Sequence, residues 1–263
     1  MKISFLFFFL IAISCGTISS AEVFLTNHAV EKTSTGLIEY SPNDRWVYFF
    51  NNKIEFIDSL YLPKAILVSA NGEIYDTENK RNDFYRNLKA NTGTIKSIVT
   101  IKRIEITPEL GYEIGFFVNS KNIKFKHLII WKKVQGVFLR EIEMISKSEN
   151  ETTDITGIQA ARNLWMDYCN HHKVKDLVTN TYFENAVYYN NGRITLGTEN
   201  IEKEYRYMIK PSYQLTLTPI VLETVNESLA FEIGQCSGSY KGKYVLIWGK
   251  RNGASWKAIF DSN

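Results

Sequence analysis

Leu128-Ile129-Ile130-Trp131-Lys132-Lys133 and Val245-Leu246-Ile247-Trp248-Gly249-Lys250 are the same strand written twice, 117 residues apart. Working outward from this pair, Tyr112-Glu113-Ile114-Gly115 matches Phe231-Glu232-Ile233-Gly234. Thr77-Glu78-Asn79 matches Thr198-Glu199-Asn200, and Asn71-Gly72-Glu73-Ile74 matches Asn191-Gly192-Arg193-Ile194. Upstream, Tyr61-Leu62-Pro63-Lys64-Ala65-Ile66 matches Tyr182-Phe183-Glu184-Asn185-Ala186-Val187; downstream, Gly136 pairs with Gly253 and Ile142 with Ile259. Seven matches in one order define a duplicated unit, and a fixed internal period decides the fold before any local detail does.

Both copies show one order of elements. In the second, Asp154 caps a helix on which Ile158, Ala161, Trp165 and Tyr168 recur at helical spacing. A short helix with Val174, Leu177 and Val178 follows. A hairpin then turns at Asn190-Asn191-Gly192, where Asn-Gly accepts positive φ, and Thr198 caps a third helix. After Pro211 come four β-rich runs, Tyr213 to Val225, Ser228 to Ser237, Tyr240 to Lys250 and Ala254 to Phe260. In the first copy Ser41-Pro42 opens the helix, Thr77 caps the third one, and Pro108 and Gly136 mark turns. The chain therefore divides into a leader at 1–21, a first domain at 41–148, a polar linker at 149–153 and a second domain at 154–263.

Helix, helix, hairpin, helix and a four-stranded meander resembles the nuclear-transport-factor-2-like superfamily, whose relatives include SnoaL-like and ketosteroid-isomerase-like domains. The likeness is carried by Gly242 through Lys250, Gly253, Trp256-Lys257 and Asp261, with Leu139 standing near the place of the second Trp in copy one. The resemblance implies an α+β fold of two tandem cone-shaped domains, each with three helices packed on a curved, mostly antiparallel sheet. It also implies that the two sheets pack on each other as in the homodimers common in this fold, giving a monomer with an intramolecular pseudo-dimer.

Composition bounds the function. The 263 residues are 44% hydrophobic, 14% aromatic and 22% charged, with net charge +3 and dispersed Lys and Arg, which argues against nucleic acid as a partner. Met1-Lys2, the apolar run Ile3 to Ile13 and Ser19-Ser20-Ala21 read as a secretory signal cut before Glu22, and no later run spans a membrane. The protein is expected to be periplasmic or secreted; the alternative is a lipoprotein, since Ala12-Ile13-Ser14-Cys15 resembles a lipobox that would lipidate Cys15. Two cysteines then remain, Cys169 and Cys236, which form one disulfide or stay as buried thiols.

Catalytic motifs are sparse. If the chain shared ketosteroid isomerase chemistry, a carboxylate would precede the hairpin glycine. Tyr188-Tyr189-Asn190 and Ser69-Ala70 stand there instead, so the enzyme question stays open and leans to no. Adjacent His171 and His172 point to different helix faces, and no metal site or cofactor motif is present. Asp261 reads as a turn or edge residue, and Lys121 through His127 as a solvated, edge-protecting strand end. The aromatics are more informative. Trp165, Tyr168, Tyr189, Tyr213 and Trp248 are the candidate lining of a pocket for a small hydrophobic molecule in the second cone, with ordinary core packing as the competing role. Tyr244, Leu246 and Trp248 share one strand face and Val245 and Ile247 the other.

Overall fold

Ser41 starts the first helix by accepting the Asp44 amide proton on its side chain, with Pro42 at the first helical position. The computed structural model describes residues 32–33, 36–37, 41–151, 154–190, 192–251 and 255–262. The signal segment, Cys15, His28, Asn191 and Gly253 lie outside the described residues. The chain divides into Met1–Tyr40 and Ser41–Asn263. The described part of the first unit is a two-residue antiparallel ladder, β1 (Lys32–Thr33) with β2 (Gly36–Leu37).

The second unit contains both copies. Copy one runs α1 (Pro42–Asn52), a 3-10 turn (Ile54–Leu60), β3 (Tyr61–Val68), β4 (Ile74–Tyr75), α2 (Glu78–Thr92), β5 (Ile95–Thr107), β6 (Leu110–Asn119), β7 (Lys124–Val134) and β8 (Val137–Lys147). Copy two runs α3 (Ile155–Asn170), α4 (Val174–Thr181), β9 (Tyr182–Asn190), β10 (Arg193–Leu196), α5 (Thr198–Glu204), a 3-10 turn (Tyr205–Ile209), β11 (Leu215–Asn226), β12 (Leu229–Gly238), β13 (Gly242–Gly249) and β14 (Lys257–Ser262). Strand order is 4-3-8-7-6-5 in one sheet and 10-9-14-13-12-11 in the other. All neighbours are antiparallel except β3–β8 and β9–β14, the second pair from one edge of each sheet.

Local signals mostly hold, with instructive exceptions. Asp154 and Thr77 cap their helices as expected, the first accepting from Gly157 N and the second from Lys80 N. Thr198 does not cap: Gly197, at φ 77°, occupies the cap position and Thr198 is the first helical residue. The last repeat match also shifts by one residue. Ile142 pairs with Ile66, and Phe260 with Val187, so Phe260 and not Ile259 is the counterpart of Ile142. Glu141 and Ile259 are equivalent bulge residues, each skipped by the neighbouring ladder. The same register makes Arg140 and Ala258 counterparts, opposite Tyr61 and Tyr182.

Strand alternation separates two interiors. Ile114, Leu128, Ile130, Ile142 and Met144 from one sheet meet Phe231, Ile233, Val245, Ile247 and Phe260 from the other in a single buried core. The sheets thus pack face to face within one chain. Lys126 reinforces the contact: its ammonium, 2% exposed, reaches Glu223 Oε2 at 3.0 Å, Glu151 Oε2 at 3.1 Å and Thr224 O at 2.5 Å. The lysine-rich stretch before His127 is therefore not a solvated edge. β7 lies inside its sheet, and Lys126 is buried because it finds carboxylates, as a buried charge must, while His127 is buried with its Nε2 3.6 Å from Glu113. The opposite sheet faces curve around the helices and form the interiors of the two cones.

Candidate functional site

The Glu repeated in the two Glu-Ile-Gly motifs is the anchor of each cone. Glu232, fully buried on β12, accepts Arg162 Nε at 2.7 Å and Tyr244 Oη at 2.5 Å on Oε1. Its Oε2 accepts Arg162 Nη2 at 2.6 Å and Trp248 Nε1 at 2.8 Å. In copy one Glu113 accepts Asn43 at 2.6 Å, Arg103 Nε at 2.7 Å and Trp131 Nε1 at 3.0 Å, with His127 Nε2 3.6 Å away. Burial pushes the Glu113 carboxyl up, but His127, Arg103 and Asn43 outweigh it and hold the group well below the usual carboxylate range. The glycine that follows has a packing reason in both copies. A Cβ on Gly234 would overlap the Tyr244 ring, and one on Gly115 would overlap the His127 ring.

A second buried carboxylate sits one bulge past the sheet centre. Glu143 in copy one takes hydrogen bonds from Tyr61 and Tyr85, and Asp261 in copy two takes them from Tyr182, at 2.8 Å, and Tyr205. Here the copies diverge. Glu143 also receives Arg140 Nη1 at 2.6 Å, and the guanidinium lies 4.5 Å from the Trp46 ring, 5.2 Å from Trp131 and 5.9 Å from Tyr61. Ala258 replaces that arginine in copy two, so Asp261 has its tyrosines and no cation. Burial raises its carboxyl to about 6, against the lowering effect of the two tyrosine hydrogen bonds.

This shift has a sign that can be tested. Asp261 has a higher pKa folded than unfolded, so the folded state binds more protons between pH 4 and 6. Its contribution is fully present below the ordinary aspartate pKa and is lost as pH rises through about 6. Urea midpoints of wild type and Asp261→Asn measured from pH 4 to 7 are expected to diverge, with the wild type losing stability relative to the variant as pH rises; parallel profiles would contradict the assignment.

Asp261 also lines a cavity of about 10 Å³ with Trp165, Tyr213, Leu215, Leu217, Cys236, Tyr240, Tyr244 and Leu246. That is room for about one water-sized group. Tyr240, 40% exposed, stands at its mouth. Of the aromatics expected to line a pocket, Trp165 and Tyr213 reach this cavity. Trp248 belongs to the same cone but points its indole N–H at Glu232. Tyr168 packs on the core edge with its hydroxyl accepting Asn180 Nδ2 at 3.1 Å, and Tyr189 lies on the opposite sheet face in the inter-sheet core. Cys169 and Cys236 are free buried thiols, each pushed up to about 12 chiefly by burial. Asp261 is not the turn or edge residue its terminal position suggests: β14 runs between β9 and β13, and the carboxyl is 3% exposed. An open crevice of about 680 Å³ runs between the β4 and β10 hairpins, where Ile74, Ile194 and Leu196 sit beside the Asp76–Lys80 ion pair of 2.9 Å. It brings no buried polar group into play.

No protein-family model matches the chain, and no curated protein does. Solved structures do. An NTF-2 like protein of unknown function from Shewanella oneidensis aligns at 15% identity over 42% of this chain and 98% of its own, with TM-score 0.38. A ketosteroid isomerase-like protein from Erwinia carotovora atroseptica aligns at 14% over 42% and 95%, TM-score 0.36. A DUF4783 family protein from Bacteroides ovatus aligns at 16% over 40% and 93%, TM-score 0.33. Each spans about one copy. What decides the fold is the element order and strand order, repeated in both halves. The chain is a tandem of two α+β units that share one element order, each with a six-stranded sheet. Among such cones the fold alone assigns no chemistry, so the two interiors must be judged on their own residues. In copy one Arg140 bonds Glu143 inside the cone, and in copy two a cavity lies at Asp261. Among the described residues no helix is long and apolar enough to cross a membrane.

Proposed function

We propose that the protein is an exported binding protein in which the first cone is structural and the second receives a small, largely hydrophobic ligand. The observation that carries this reading is the cavity beside the buried Asp261 of the second cone, where the first cone sets Arg140 against Glu143. Its walls are Trp165, Tyr213, Leu215 and Leu217, an apolar lining with a single buried acid, which is the usual make-up of a small-molecule site. A ligand larger than one water requires the half-exposed Tyr240 to move aside. Binding is favoured over turnover because Glu232 spends both oxygens on Arg162, Tyr244 and Trp248, which leaves it no free lone pair for a substrate proton. Export rests on the signal-like first 21 residues.

Calorimetric titration with 2-phenylethanol, a small neutral aromatic probe, is the test. One saturable site per chain is expected, weakened at least tenfold by Leu217→Phe, which fills the cavity wall. Absence of saturable binding, or two equal sites per chain, would overturn the reading.

A further inference from the structure

One end of copy two is basic and apolar at once. The 3-10 turn after α5 carries Arg206-Tyr207-Met208-Ile209 and continues as Lys210-Pro211-Ser212-Tyr213-Gln214, and the β12–β13 turn reads Ser239-Tyr240-Lys241-Gly242-Lys243. Hydrogen bonds hold these segments side by side. Gln214 N donates to Ser239 Oγ at 2.9 Å and Ser239 N to Gln214 O at 2.7 Å. The corner between α3 and α4 joins them, with His172 Nδ1 3.0 Å from Met208 O and Lys173 exposed beside it. In a 3-10 turn residues three apart eclipse each other. Tyr205 and Met208 are buried in the cone core, which sets Arg206 with Ile209 and Tyr207 with Lys210 on the outside. Ile209 is 55% exposed, Tyr207 42% and Tyr240 40%. The Tyr207 ring stands 5.5 Å from that of Tyr213, which lines the cavity together with Tyr240, so the exposed apolar groups gather at one end of the cone.

The charge there is one-sided. Residues 149–263 hold 12 Lys and Arg against 13 Asp and Glu, yet 206–214 and 237–243 contain four basic residues and no acidic one, and Lys173 adds a fifth. Among the described residues none of these five has an ion-pair partner. Asp167, at the end of α3, is engaged by His171 at 3.2 Å. Copy one serves as the internal control. Two and four residues past Tyr85 stand Asn87 and Lys89, where Tyr205 is followed by Tyr207 and Ile209; six past Gly115 stands Lys121, where Gly234 is followed by Tyr240. Lys89 and Lys121 turn back onto the carbonyls of Asn51 and Asn91, at 2.9 and 2.6 Å. The repeated fold therefore does not require the apolar residues of copy two.

We infer that this end of copy two docks on a lipid bilayer surface bearing anionic headgroups. Tyrosine rings suit the headgroup level of a bilayer, where the ring is apolar and the hydroxyl stays wet, and Ile209 reaches the acyl boundary. Lys173, Arg206, Lys210, Lys241 and Lys243 meet the headgroup phosphates, each strengthening attachment roughly fivefold beside an anionic leaflet. Charge complementarity selects this occupant. A second copy in a symmetric contact would set five unpaired cations against five, and a soluble polyanion offers nothing to Ile209. Docking needs nothing in the cavity, so it goes beyond the ligand reading and stands or falls apart from it.

The test is cosedimentation of the chain from Glu22 onward, which lacks the apolar leader, with phosphatidylcholine vesicles and with vesicles in which one lipid in three is phosphatidylglycerol. Partitioning is expected to be at least tenfold stronger on the anionic vesicles at about 0.1 M salt, and to fall at least tenfold at about 0.5 M as the charges are screened. Lys210→Gln with Lys241→Gln should weaken it at least tenfold. Tyr207→Asn, Ile209→Lys and Tyr240→Lys together give copy two the residues of copy one, and should weaken it at least fivefold although the net charge rises by two. The lysine pair touches no packed ring, so it keeps the test decisive if the triple variant misfolds. Equal partitioning on both vesicles overturns the inference. A folded triple variant that binds as well as the wild type or better also overturns it, because charge alone would then suffice. Dextran sulfate bound as tightly as the anionic vesicles overturns it too, as the mark of a general polyanion contact. Titration with 2-phenylethanol in the absence of vesicles reads the cone separately, so either reading can fail alone.

Discussion

Glu232→Ala is expected to lower folding stability by about 3–5 kcal/mol, the range for removing one partner of a buried ion pair. The reason is the company the carboxylate keeps. Its loss strands the Arg162 guanidinium, the Tyr244 hydroxyl and the Trp248 indole N–H together, three donors from α3 and β13 with no other acceptor bonded to them among the described residues. The equivalent Glu113→Ala is expected to cost less. Arg103, the main cation there, is 36% exposed and can turn to water, whereas Arg162 is 6% exposed. Urea denaturation of the two variants measures the difference directly. Equal losses would mean that solvent access of the cation does not set the cost.

Phe231→Ala is expected to cost about 3–5 kcal/mol, as for other fully buried aromatic truncations. Phe231 is adjacent to Glu232 but faces the other way, into the core between the sheets, with Ile114, Leu128 and Ile130 of copy one around that core. Its loss should therefore weaken the packing of one copy against the other as well as copy two itself. Limited proteolysis adds a second readout: cleavage in the segment 149–153 should accelerate in Phe231→Ala more than in a variant of equal stability made inside the second cone, such as Leu246→Ala. Equal acceleration would show that the copies unfold as one block.

The duplication, the α+β class and most element boundaries are legible because they depend on short-range signals. Ser41, Thr77 and Asp154 cap helices through their own side chains, and the alternation in Tyr244 through Trp248 sorts cone from inter-sheet face, although only the structure says which is which. The candidate site was half legible. Trp165 and Tyr213 reach the cavity because helix spacing and the turn before β11 place them there. Tyr189 does not, since a one-residue change on a strand reverses the face. Asp261 and Lys126 escaped notice for a common reason: a charged residue reads as exposed until its partner is known, and the partners are 79 and 97 residues away in sequence, Tyr182 and Glu223. The bulge at Ile259 hid Asp261 further by breaking the alternation that would have put it on the inner face. The signal that finds it is the repeat itself, once Glu143 and Asp261 are aligned through their tyrosines.

The face-to-face sheets have a consequence for dilution. Two separate cones that share such a core exchange partners according to concentration, and below their dissociation constant the shared apolar face is laid open to water. Joined by a linker of a few residues, the second cone stays at an effective concentration set by the tether and independent of how thinly the protein is spread. A chain released into a large outside volume would keep that core closed. Nor does each half have to match itself across a symmetry axis, so one half can keep its arginine while the other gives it up.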